Sequence, residues 1–192
     1  FNSHRIAAEE LWEGSLRQHF ADTEARDVVV LAGFGRFGQT ILEHLIRNAV
    51  DELSHVVVLD RAAGPLVRQY RTQVGAPESF RWDVVDGDLS DPGVWDAVAG
   101  MLDPEAESPV FVLGVDGDSQ NLAAALQLRL RFPQARTFVR CFQDSEFTRQ
   151  LAQTRGIDVL GLEAMLKEAM GRMHRELFCG ERSWRGPHSS TV

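Results

Sequence analysis

Apolar residues along the chain follow two periods, and the alternation between them predicts the elements. In IAAEELWEGSLRQHF, residues Ala8, Trp12, Leu16 and Phe20 lie four apart. This narrow stripe predicts a helix docked on its own domain, on a partner or on protein upstream. Acidic Asp22-Thr23-Glu24 and Asp27 separate it from Val28–Ala32, a continuous apolar run that predicts a strand buried on both faces. A helix of about 11 residues is expected next. HVVVLD at 55–60 gives a second strand, 63–71 a helix, and Trp82–Val85 a third strand. Asp91-Pro92 opens a helix through about Leu102, with the proline at a permitted first-turn position. SPVFVLGVD at 108–116 predicts a fourth strand, and Asp118–Phe132 a helix closed by Pro133. ARTFVRCF gives a fifth strand, Asp144–Arg155 a helix, and IDVL a short sixth strand.

Strands thus alternate with helices six times through short connections. That order predicts an α/β fold: a Rossmann-like, doubly wound, parallel six-stranded sheet with flanking N- and C-terminal helices. From Leu162 the period changes. Leu162, Met165, Leu166, Ala169, Met170, Met173 and Leu177 fall at helical spacing and form a broad apolar face, for core packing or for a subunit interface. The expected organisation is an N-terminal helix and linker over 1–26, a Rossmann-like domain over 27–161, a C-terminal helix over 162–180 and a mobile polar tail over 181–192.

Composition narrows the function classes. The 192 residues suffice for one α/β domain with extra helices. A formal charge of −8 argues against a nucleic-acid surface, which needs a basic stripe. Of the 20 basic residues only Lys167 is a lysine, so one amine is available for chemistry. Cys141 and Cys179 stand far apart, which argues against a disulfide scaffold or structural zinc and for reduced thiols in a cytoplasmic setting. No apolar run approaches the roughly 20 residues needed to cross a bilayer, and no signal peptide is visible. Phe1 in place of an initiator Met is what a segment of a longer protein would show.

Gly33-Phe34-Gly35-Arg36-Phe37-Gly38 matches GxGxxG between a strand and a helix. Gly33 permits the tight turn, Gly35 lets a pyrophosphate approach the backbone, and Gly38 lets helix and strand pack closely. The helix start adds free N–H groups and the positive end of its dipole. The second strand ends at Asp60, 22 residues after Gly38, where a carboxylate takes both ribose hydroxyls. Asp60 would repel a 2′-phosphate, so NAD or an adenosine nucleotide is favoured over NADP. Arg61 beside it is placed to stack on adenine, to grip a phosphate or to sit in solvent. Arg36 either faces the phosphates or points outward.

A hydride-transferring enzyme also needs a proton-transfer group beside the nicotinamide. Here Tyr70 is the only tyrosine and Val74 stands four residues on, so no Tyr-x-x-x-Lys pair exists. Lys167 is remote, the six histidines are scattered, and no GxSxG, HExxH or paired-His motif occurs. The residues predict a binding module without catalytic turnover and without a metal.

The later motifs carry a family resemblance. Val85-Asp86-Gly87-Asp88 with Asp91-Pro92 resembles the GDxxxP segment after the third strand of TrkA-N, or RCK (regulator of potassium conductance), domains. Asp116-Gly117-Asp118-Ser119-Gln120-Asn121 resembles that family's DDxxN turn after the fourth strand, and PQARTFVRCFQDSEFTRQLAQTRGID its fifth strand, helix and GxD turn. The match covers about 28–161, with each motif in order. GFGRFGQ and the segment after Leu160 look most like the cytoplasmic domains of glutathione-gated potassium efflux systems, although Arg140-Cys141-Phe142-Gln143-Asp144 replaces a more charged run.

The resemblance implies a regulatory domain on the cytoplasmic face of the cell membrane, working as a homodimer or higher oligomer. It would gate the transmembrane transport domain of a potassium channel or potassium/proton antiporter when NAD, NADH or AMP, ADP or ATP binds. It places phosphates on Gly35–Gly38, ribose on Asp60, and adenine near Arg61 and the Asp86–Leu89 turn, with Gly33, Phe34, Asp88 and Leu89 among the nucleotide-binding residues. Asp88 then contacts adenine or caps the region after it. Asp118 and Asn121 cap a helix or line the cleft, and Arg140 meets an anionic effector or pairs with an acid of its own domain. The alternative is an NAD-dependent oxidoreductase or epimerase fragment whose catalytic groups lie elsewhere.

Overall fold

The computed structural model describes residues 3–23, 26–75, 77–102, 109–143 and 145–179. Glu24, Asp144 and the expected tail at 181–192 lie outside them, as do the side chains of Ala169, Met173 and Leu177.

Six described strands form one parallel sheet: β1 (Asp27–Ala32), β2 (Leu53–Asp60), β3 (Arg81–Asp86), β4 (Val110–Leu113), β5 (Arg136–Cys141) and β6 (Asp158–Gly161). Their order is β3-β2-β1-β4-β5-β6. β1 is central, with Ala32 opposite Leu59 of β2 on one side and Leu113 of β4 on the other. The apolar runs are β-branched and unbroken because both faces are covered. Val29, Leu31, Val56 and Val58 face one core with Ile41, Leu42 and Leu45, while Val28, Val30, Val57 and Leu59 face another with Trp95, Val98 and Leu128.

The helices are α3 (Arg36–Ala49), α4 (Ala63–Val74), α5 (Pro92–Met101), α6 (Asp118–Arg131), α7 (Glu146–Thr154) and α8 (Leu162–Cys179). α3 has 14 residues, longer than its apolar pattern suggests, and a short 3₁₀ turn at Val50–Glu52 delivers the chain into β2. β4 is shorter than expected, because Gly114–Asp116 leave the sheet after one last bond from the Gly114 N–H to the Ala32 carbonyl, 2.7 Å.

Before β1, α1 (Ser3–Leu11) and α2 (Arg17–Asp22) are joined by a π-helical turn at Trp12–Leu16. Ala8, Trp12, Leu16 and Phe20 are all buried, and α1 packs on α3 and α8. A four-residue spacing drifts around a 3.6-residue helix, and one wider turn offsets part of that drift, so the stripe stays on the core. Glu10 of α1 also pairs with Arg172 of α8 at 2.5 Å. No helix of the described residues is long and apolar enough to cross a membrane.

Candidate functional site

The chain crosses to the opposite half of the sheet between β3 and β4, so the loops leaving the neighbouring strands β1 and β4 diverge. A crevice at that switch point follows from the topology. Gly33 turns the chain out of β1 at φ +98°, and a Cβ on it would stand 2.8 Å from both Gly114 C and Val115 N. A Cβ on Gly38 would run into the Gly33 carbonyl oxygen. Both glycines are demanded by backbone meeting backbone. At Gly35, by contrast, a Cβ would meet nothing within 4 Å. Gly35 is the N-cap of α3 and supplies no side-chain cap, so the helix presents its first N–H groups to open space.

A cleft of about 300 Å³ lies there, lined by Gly33, Gly35, Arg36, Phe37 and Asp60 from the first half of the sheet. Gly114, Val115, Asp116 and Arg140 line it from the second half, and His4 from α1. Asp60 Oδ2 accepts the Phe34 N–H at 2.8 Å and Oδ1 the Ala62 N–H at 3.0 Å. Each oxygen retains a lone pair, which suits two vicinal hydroxyls.

The structure divides the expected site residues. Gly33, Gly35, Arg36, Phe37 and Asp60 come together at the cleft, and Gly38 stands behind it as a packing contact. Phe34 is wholly buried with its ring edge-on to Tyr70, and its N–H is already held by Asp60. Leu89 is buried in the core and its carbonyl accepts the Trp95 indole N–H at 2.8 Å. The side chains of Phe34 and Leu89 therefore pack in the core and do not line the cleft. Arg61 and Asp88 are also not cleft-lining. Arg61 Nε donates to Asp88 at 2.7 Å, and the other Asp88 oxygen accepts the Ser90 N–H and hydroxyl and the Gln120 amide. The Ser90 bonds first, then Arg61, hold the Asp88 carboxyl well below the usual carboxylate range.

Two expectations about α6 are corrected. Neither Asp118 nor Asn121 caps its start, where Gly117 is the N-cap. The Asp118 carboxylate instead accepts the N–H groups of Phe142 and Gln143 beyond β5. The Asn121 amide is fully buried: its oxygen accepts the Val115 N–H at 3.1 Å, and its nitrogen donates to the carbonyls of Val115 at 2.8 Å and Arg140 at 3.0 Å. α6 thus ties the ends of β4 and β5 together beneath the cleft. Arg140 takes the second of its two readings, donating to the Gly114 carbonyl and to Asp116, each at 3.2 Å, with its guanidinium 5.8 Å from the Phe37 ring centre.

His4, Gly114 and Val115 were not singled out from sequence. A glycine ending the β4 run was a signal for a close approach, whereas nothing local marks His4. Among the described residues no group of three or more His, Cys, Asp or Glu side chains could hold a metal ion. His55 Nε2 lies 2.9 Å from Asp83, away from the cleft.

A family model described as the TrkA-N domain matches residues 29–161, and no curated protein matches the sequence. Solved structures of similar fold include a Kef CTD from Shewanella denitrificans in its AMP-bound form, 17% identical over 82% of this chain and 84% of that one, with TM-score 0.53. A short-chain alcohol dehydrogenase from E. coli CFT073 with NADH aligns at 18% identity and TM-score 0.47, over 93% of this chain and 46% of its own. A ligand-free 5-ketofructose reductase of Gluconobacter sp. strain CHM43 aligns at 18% identity and TM-score 0.33, over 88% of this chain and 57% of its own. At 17% identity the likeness to the Kef CTD is one of fold. The glycine loop, the acid that ends β2 and all six strands from Val29 onward lie within the matched span, and the chain belongs to the TrkA-N domain family.

Proposed function

We propose that this chain is a ligand-sensing regulatory domain that binds an adenine nucleotide, AMP, ADP, ATP, NAD or NADH, in the crevice between β1 and β4. One observation carries the reading: the uncapped start of α3 opens at Gly35 into the same cleft as the half-satisfied Asp60 carboxylate. Amide hydrogens and a helix dipole suit phosphate, and a carboxylate with spare lone pairs suits a ribose diol. The single tyrosine and the single lysine are placed elsewhere. Tyr70 is buried behind Phe34, and Lys167 on α8 pairs with Glu163 at 2.6 Å.

Membership of the TrkA-N family supports a setting at the cytoplasmic face of the cell membrane, serving a potassium channel or potassium/proton antiporter. There the domain acts as a homodimer or higher oligomer, to which exposed Leu130, Phe142 and Met170 offer apolar surface. Nucleotide gates the transmembrane partner by binding one arrangement of subunits better than another.

Isothermal titration of the chain with AMP, ADP, ATP, NAD, NADH and NADP tests the nucleotide reading. Binding of at least one is expected, with NAD tighter than NADP, and Asp60→Asn should weaken it by about tenfold. Silence toward all six overturns the proposal. Steady NADH oxidation by the chain would replace it with the oxidoreductase reading.

A further inference from the structure

His4 lies in α1, ahead of the family-matched span, yet its side chain lines the cleft of that core. Its position is imposed by packing. Ala7, Ala8 and Leu11 of α1 are buried, α1 packs on α3 and α8, and Glu10 pairs with Arg172. The imidazole sits edge-on to Phe37, ring centres 6.5 Å apart, and the Arg140 guanidinium lies 5.8 Å from the same ring. Phe37 is the second residue of α3, so its ring brings both side chains to the helix start beside Gly35 and Arg36.

We propose that His4 is a ligand-contacting residue of this cleft, donating an imidazole N–H to the nucleotide's phosphate, so that the N-terminal helix senses occupancy. The inference rests on the nucleotide reading of the cleft. Neutral imidazole already offers one N–H donor, and imidazolium offers two. Burial, then Arg140 and Arg36, push the His4 pKa down in the free protein, against a smaller opposing effect of Asp116. A phosphate dianion arriving beside both guanidinium groups reverses that balance and favours imidazolium. Binding therefore takes up protons near neutral pH, and affinity rises as pH falls from 8 toward 6.5.

Among the described residues, several charged groups stand around His4. α3 contributes Arg36, β5 Arg140, the β4 loop Asp116 and the end of β2 Asp60. α1 itself carries Arg5, paired with Glu9 at 3.3 Å. α8 carries Lys167 and Arg172, whose partners are Glu163, Glu168 and Glu10. The nucleotide phosphate is the one charge that binding adds to this set.

The test titrates the whole chain and its His4→Gln variant with AMP and with adenosine at pH 7, in two buffers of different ionisation enthalpy. NAD replaces AMP if it is the tighter ligand. Wild type should bind AMP with proton uptake, and His4→Gln should bind it about tenfold more weakly with less uptake. Adenosine, which lacks the phosphate, should bind both proteins equally. That equality also guards against a misfolded variant. Hydrogen exchange in α1 should slow on AMP addition in wild type and much less in the variant. Equal AMP affinity and equal proton uptake in the two proteins would overturn the role of His4 while leaving the nucleotide reading intact. An adenosine deficit matching the AMP deficit would also overturn it, by assigning His4 a structural role. Failure of wild type to bind any nucleotide would overturn both.

Discussion

At Gly33 the requirement for glycine is doubled. Its φ of +98° costs any side chain conformational strain, and a Cβ would press on the β4 loop at Gly114 and Val115. Gly33→Ala should therefore lose about 2 kcal/mol or more of stability in chemical denaturation, because neither backbone can withdraw without breaking a strand end. Gly35→Ala is the informative contrast: a Cβ there meets nothing within 4 Å, so stability should change by about 1 kcal/mol at most, while nucleotide affinity should fall if the proposed phosphate approach at this position holds. The turn at Gly33 was legible from GxGxxG because it follows from local backbone geometry. The fates of Arg61 and Asp88 were not. Both are exposed or half-exposed polar residues whose partners stand 27 positions apart, and sequence offers no way to prefer each other over a ligand.

Elements show a second limit. Helix and strand existence was readable from period, and strand ends from Gly and Pro. What an element's first turn does was not, because capping and clamping use the same residue types. Asn121 is the clearest case. It sits in the first turn of α6, where an N-cap was one expectation, but the helix is rotated so that its amide spans β4 and β5. Asn121→Ala should cost about 2–3 kcal/mol by denaturant unfolding, since the Val115 N–H and two carbonyls lose their buried partner. Nucleotide affinity should fall with it, because Val115 and Arg140 line the cleft. The N-terminal helix is similar: its stripe predicted an apolar contact without saying with what. Leu11, 1% exposed in the core beside α3, is the residue to test. Leu11→Ala should destabilise by about 2–4 kcal/mol if α1 folds as part of this unit, whereas an independent arm would show almost no loss.

Over the whole molecule, burial sets a pH dependence. His4, His44 and His55 all have pKa values lowered in the folded chain, each with burial as the largest cause, and for His55 Asp83 opposes it only partly. The unfolded chain therefore binds more protons below its ordinary histidine pKa of about 6.5. Stability from these groups is fully present above that pH and is lost progressively as pH falls below it. Asp88 works in a lower window: its carboxyl is depressed, so its contribution persists until pH falls below the unfolded value near 4. Thermal melts of the free chain at pH 8, 6.5, 5.5 and 4.5 should show a decline beginning near 6.5, and His55→Gln should flatten its first part. A melting temperature constant from pH 8 to 5.5 would contradict this account.

Read alone, the order of residues determined the strands, the alternating helices, the parallel sheet and the glycine–acid pair, because each depends on a period or on a backbone turn a few residues long. It could not decide that β4 lies beside β1, that β1 and β4 open a crevice there, or that Gly114, Arg140 and His4 share it with Gly35. Those are contacts between segments up to 136 positions apart (His4 to Arg140), brought together by burying two apolar faces of one sheet and a helix stripe against it. Local chemistry marks where a phosphate can rest; packing chooses what surrounds it.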